Sequence, residues 1–150
     1  MIKKIEKTLE FINVLLIAGL IVVISLQIFS RMMNESLIWT EELSRFVLVY
    51  ITFLGASLAF YKGENLRITM IIDKFSPKIK KLNDIVMFFL STAIVICLIY
   101  FSVLFTIEVW QTPSTALQWN KGLIMIVLPV GFSLILIKLL KEFKNLLPRG

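Results

Sequence analysis

The stretch Trp39-Thr40-Glu41-Glu42-Leu43-Ser44-Arg45-Phe46 opens a run with no further charge until Lys62. Residues 46–61 are uncharged and include Gly55-Ala56-Ser57. A charged mouth leading straight into such a run reads as a helix that begins at a membrane surface and crosses the hydrocarbon core. On that helix Arg45 follows Glu41 by four residues and Glu42 by three, so it can reach either carboxylate. Thr40 is the expected N-cap, and both glutamates then lie in the first turn, where the helix dipole favours negative charge. Arg45 sits about a turn deeper. An arginine at a helix centre costs roughly 2.5–3.5 kcal/mol on insertion scales, and less near an end. A snorkelling interfacial pair, an ion pair that fixes contact with another helix, and an ion pathway would each account for the group. A pathway needs carboxylates at depth on other spans, and none is present. That leaves a snorkelling interfacial pair or a structural ion pair at a subunit interface for Glu41, Glu42 and Arg45, and the structural pair is the expectation carried forward.

The rest of the chain has the same character. Of its 150 residues 58% are hydrophobic and only 17% charged, with a mean hydropathy of +0.88. The apolar residues come in long blocks, so the expectation is an integral membrane protein. The net charge of +6 does not suggest nucleic acid, because the basic residues flank apolar blocks. The single cysteine, Cys97, lies within an apolar run and is expected to be an inert small hydrophobe. With no histidine, His-based catalysis and His-containing metal sites are excluded. No enzyme activity and no cofactor is expected.

Three further blocks match membrane spans. Residues 11–30 form the first, too long for the apolar region of a signal peptide and followed by no small-residue cleavage site, so it is expected to be retained. Residues 85–107 form the third. Ser76-Pro77 before it is a helix-start signal, so that helix is expected to begin ahead of the membrane. The fourth covers 122–140, with Pro129 and Gly131 predicting a kink. Between the second and third spans, Ile68, Ile71, Ile72 and Phe75 follow helical spacing among charged residues. They predict a short amphipathic helix lying along the bilayer surface. The fold class is thus all-α, four transmembrane helices in a single domain over residues 1–150.

Four spans put both termini on one side, and that side holds thirteen of the sixteen Lys and Arg residues. The positive-inside rule makes it the cytoplasmic side. Trp39, Trp110 and Trp119 then fall on the exterior side, as an aromatic belt or as part of a docking surface. Gly55 and Ala59 form a small-xxx-small pair suited to close helix packing. Buried polar groups are too few to bind a hydrophilic substrate within four helices, so the chain is expected to pack against another membrane protein.

The order of these features resembles the small (Q-type, DctQ-like) membrane subunit of tripartite ATP-independent periplasmic (TRAP) transporters. Four stretches carry the resemblance: Trp39-Thr-Glu-Glu-Leu-Ser-Arg45, Phe53-Leu-Gly-Ala-Ser-Leu-Ala59 leading to Lys62-Gly63, Gln111-Thr-Pro-Ser-Thr-Ala-Leu117, and Leu128-Pro-Val-Gly131. In one departure, Asn65 and Thr69 stand where such proteins often have a histidine and an aspartate. The resemblance implies a large multi-span membrane partner that carries the substrate and sodium sites, and a soluble periplasmic protein that captures an organic acid such as a dicarboxylate, a keto acid or a sialic acid. The small subunit would widen the scaffold in the bacterial inner membrane and help present an outer surface. The rival expectation is a homo-oligomeric pore or holin-like protein, which would need a polar stripe along one span.

Overall fold

The computed structural model describes residues 2–35, 37–63 and 77–146. These residues form helices α1 (Ile2–Met32), α2 (Ile38–Lys62), α3 (Pro77–Glu108), α4 (Lys121–Met125) and α5 (Val127–Leu146). Among the described residues there is no strand, only an isolated bridge between Pro113 and Asn120. Helices α1, α2 and α3, and α4 with α5 taken together, are each long and apolar enough to cross a membrane. The all-α, four-span class is therefore as expected. Helix α3 starts at Pro77, whose ring is preset for a first helical position. The surface helix expected around Ile68, Ile71, Ile72 and Phe75 lies outside the described residues.

The main packing follows a row: α1 on α2, α2 on α5, and α5 on α3. Helix α5 and the short α4 thus sit between α2 and α3. The interior of this row is small and partly polar. Asn13, Thr40, Ser57, Ser102, Thr106 and Ser114 are buried, whereas Ile21, Phe101 and Ile107 are each more than 60% exposed. That distribution suits a lipid or protein surround, where apolar side chains gain nothing by turning inward and small residues let backbones approach. Cys97 is exposed on α3 rather than enclosed among aliphatic side chains. The periodicity of an all-apolar span does not reveal which side faces out.

The start of α2 differs from the expectation. The chain leaves α1 through Asn34, whose φ of 58° lies in the left-handed region that asparagine tolerates. Helix α2 then begins at Ile38, with Leu37 in the cap position and no side-chain cap. Thr40 is fully buried inside the first turn and donates its hydroxyl back to the Leu37 carbonyl at 2.6 Å. This earlier start leaves Glu41 in the first turn and moves Glu42 beyond it. At its other end α2 stops at Gly63, which takes a φ of 74° and returns its N–H to the Ala59 and Phe60 carbonyls.

The proline break falls slightly earlier than Pro129 itself. Proline has no N–H to give the carbonyl four residues back, and its ring crowds that carbonyl. The residue concerned is Met125, the last of α4, and the helix is interrupted at Ile126. The released Met125 carbonyl accepts from the Thr106 hydroxyl of α3 at 3.3 Å. A few residues on, α5 meets α2 closely. A Cβ on Gly131 would lie 3.1 Å from the Phe53 carbonyl oxygen, and the Ser57 hydroxyl donates to the Gly131 carbonyl at 2.9 Å. Gly55, by contrast, faces Asn13 of α1, 3.5 Å from where its Cβ would be. Ala59 is half-buried. The close small-residue contact between α2 and α5 is therefore made by Gly131 and Ser57.

Candidate functional site

The polar groups gather at the end of the helices away from the chain termini. There the start of α2 meets residues 109–120, which join α3 to α4. Arg45 pairs with Glu41 one turn before it, and both side chains are largely exposed, 73% and 47%. Of the two carboxylates within helical reach of Arg45, this is the one it takes.

Glu42 turns the other way. Its Oε1 accepts from the Thr115 N–H at 2.9 Å and the Thr115 hydroxyl at 3.2 Å. Its Oε2 accepts from the Ala116 and Leu117 N–H groups, both at 2.8 Å. Three successive amides aimed at one group make an anion-binding concavity. Here the anion is a side chain from more than seventy residues earlier. The contact ties α2 to the α3–α4 connection.

The connection is built to present those amides. The Ser114 N–H donates to the Trp119 carbonyl at 2.7 Å, and the Lys121 N–H to the Thr112 carbonyl at 3.1 Å. The Trp119 N–H donates to the Ser114 hydroxyl at 3.1 Å, and Ser114 is buried. Gln118 turns the chain with a φ of 55°. Asn120 then caps α4, accepting from the Gly122 N–H at 2.9 Å. Gly122 is there because Trp110 lies across it: a Cβ would sit 2.6 Å from Trp110 Cε3 and 2.7 Å from Trp110 Cα. The Tyr50 hydroxyl of α2 adds a bond to the Leu123 carbonyl at 3.1 Å.

Trp39, Trp110 and Trp119 all lie at this end, 40%, 41% and 53% exposed. Between the start of α2 and the loop is a half-open cavity of about 340 Å³, whose lining includes Arg45, Glu42, Thr115 and Lys121. Among the described residues no cluster of acidic or cysteine side chains is arranged to hold a metal ion. At the opposite end Lys62 of α2 pairs with Glu10 of α1 at 2.9 Å.

Sequence reasoning placed Glu41, Glu42 and Arg45 together but missed Thr115, Ala116 and Leu117. The available signal was the stretch Gln111–Leu117, a polar link around Pro113 with no acid of its own. Backbone amides leave no mark in a sequence, so the partner of Glu42 was not legible.

Comparison with known proteins agrees with this architecture. The family model for the DctQ component of tripartite ATP-independent periplasmic transporters matches residues 20–149. The sialic acid TRAP transporter small permease protein of Vibrio cholerae is 34% identical over 80 residues, covering 52% of this chain and 46% of that protein. The ectoine TRAP transporter small permease protein of Halomonas elongata is 28% identical over 152 residues, covering 99% and 78%. The isethionate TRAP transporter permease protein of Oleidesulfovibrio alaskensis is 26% identical over 107 residues, covering 70% of this chain and 17% of that longer protein. The chain spans about half the length of the curated relatives it matches first. With four spans and a family match over most of its length, the chain belongs to the DctQ component of the tripartite ATP-independent periplasmic transporters, a multi-pass inner-membrane permease component and not an enzyme.

Proposed function

We propose that this chain is the scaffold subunit of a sodium-coupled secondary importer of organic acids that depends on a soluble binding protein. It packs against a large membrane subunit, which carries the substrate and sodium sites, and this chain itself holds no cofactor. Both termini face the cytoplasm in this reading, which the distribution of Lys and Arg supports. Glu42, the loop it holds, Trp39, Trp110 and Trp119 then lie on the periplasmic side and form part of the surface that the binding protein visits.

The observation that carries this reading is the match to a 17% stretch of a longer permease protein, where a unit of this kind is part of a larger transport chain. The exposed large apolar side chains support it, since the row of helices leaves broad apolar surface that a neighbour can cover. The names of the relatives, sialic acid, isethionate and ectoine systems, support a small polar or anionic solute as the substrate class.

Co-purification in mild detergent tests the proposal. The large subunit should come with this chain, and uptake should need both subunits, the binding protein and a sodium gradient. Isolation of this chain alone, with uptake intact after its deletion, would sink the reading. Ion leak from liposomes holding only this chain would favour the pore.

A further inference from the structure

The subunit reading places Glu42 beside the docking surface but does not say why a carboxylate stands there. Its carboxylate is not needed to satisfy Arg45, which already has Glu41. What needs it is the loop. The amides of Thr115, Ala116 and Leu117 converge on its two oxygens, while the other polar groups of the loop bond among themselves. Without an anion between them these three part-exposed donors turn to water instead, and the contact that makes them converge is gone. The chemistry is also strict. Oε1 receives two donors and Oε2 receives two, so both atoms must be acceptors. A glutamine would turn its NH2 group against fixed N–H donors, although its shape is nearly the same.

We propose that Glu42 is a positioning residue whose ionised carboxylate is the resident anion of the loop. It holds residues 115–119 in the one shape that an exterior protein partner can bind. The inference rests on the docking role given under Proposed function, and names the group that controls it. Trp119 follows the amide cluster by two residues and is half exposed. Exposed tryptophan and arginine beside a fixed backbone are the material of binding hot spots. A loop ordered in advance loses less freedom when the partner arrives. Loosening it should therefore weaken docking and leave turnover by the assembled complex unchanged.

The test uses the whole transporter in proteoliposomes. Uptake is measured against the concentration of binding protein, with hydrogen exchange of the amides of 115–117 followed in the same complexes. Glu42→Ala and Glu42→Gln should each raise that exchange at least roughly tenfold. They should raise the half-saturating binding-protein concentration by about tenfold, with the maximal rate within roughly twofold of the parent. Formate added to Glu42→Ala should restore part of the protection, because the emptied concavity then accepts a free carboxylate. In Glu42→Gln the side chain still fills the space, and formate should do nothing.

Protected amides and an unshifted half-saturation in Glu42→Gln would overturn the proposal. So would a lower maximal rate at unchanged half-saturation, which is the mark of a purely structural residue. Trp119→Ala separates the two levels. If it shifts half-saturation and Glu42→Gln does not, only the role of Glu42 falls. If neither Trp119→Ala nor glycine replacement of 115–118 has an effect, the docking role falls and the proposal with it.

Discussion

Glu41 and Glu42 are adjacent in sequence and do opposite things. Glu41 meets Arg45 one turn away on the same helix, both side chains open to their surroundings. Glu42 reaches across to the α3–α4 connection and is enclosed by backbone donors. The first contact needs only a helix, and exposed pairs of this kind contribute little to stability. The second needs the whole row of helices to be assembled, and without it three amides lose their acceptor. One turn of α2 thus carries one local pair and one tertiary clasp, and residue type does not tell them apart.

Four changes would break or sharpen that contrast. The largest difference is expected between Glu42→Ala and Glu41→Ala. The first should free the 115–117 amides and change the emission of nearby Trp119, and the second should leave both near the parent. Equal effects would mean that the two carboxylates share one role.

Next comes Gly122→Ala, which tests the other support of the same loop. Its Cβ would strike the backbone of Trp110, which cannot rotate aside. Overpacking of this kind costs about 1–3 kcal/mol, read as a lower melting temperature of the purified complex. Gly19→Ala is the control, since nothing lies within 4 Å of a Cβ there, and no loss is expected.

Ser57→Ala removes the hydroxyl shared between the Phe53 and Gly131 carbonyls. Hydrogen bonds between membrane helices average about 0.6 kcal/mol, with a maximum near 1.7. A fall in that range under mild denaturation would fit, and no change would assign the α2–α5 contact to packing alone. The smallest effect is expected for Arg45→Ala. An exposed i,i+4 pair contributes about 0.3–0.5 kcal/mol, so the melting temperature should barely move. A large loss of complex yield would instead place Arg45 at a buried subunit contact.

The fold was largely legible because long apolar blocks allow few arrangements in a bilayer. Pro77 marked the start of α3 and Pro129 the break before α5, each through its missing N–H and its ring. The site was legible by half. Spacing put Arg45 within reach of Glu41 and Glu42 alike, since i,i+3 and i,i+4 neighbours meet on any helix, and the structure pairs it with Glu41. Spacing also suggested Thr40 as a cap, but the turn at Asn34 let the helix start three residues earlier and buried that hydroxyl. Gly55 and Ala59 carried the small-residue pattern, yet α2 is approached more closely at Phe53, by Gly131 of α5. Which faces of two helices meet is settled by their packing and not by either pattern alone.

By itself, then, the sequence determined the solvent, the number of crossings, the start of α3 at Pro77 and the break ahead of Pro129. Each follows from chain-local chemistry: runs of apolar side chains, the geometry of proline, the spacing of charges along one helix. Only the tertiary structure decided that Glu42 belongs to residues 115–117, that Gly122 lies under Trp110, and that α5 stands between α2 and α3. Those contacts join backbone groups that every residue carries, so their selection depends on where the chain brings them and not on what the residues are.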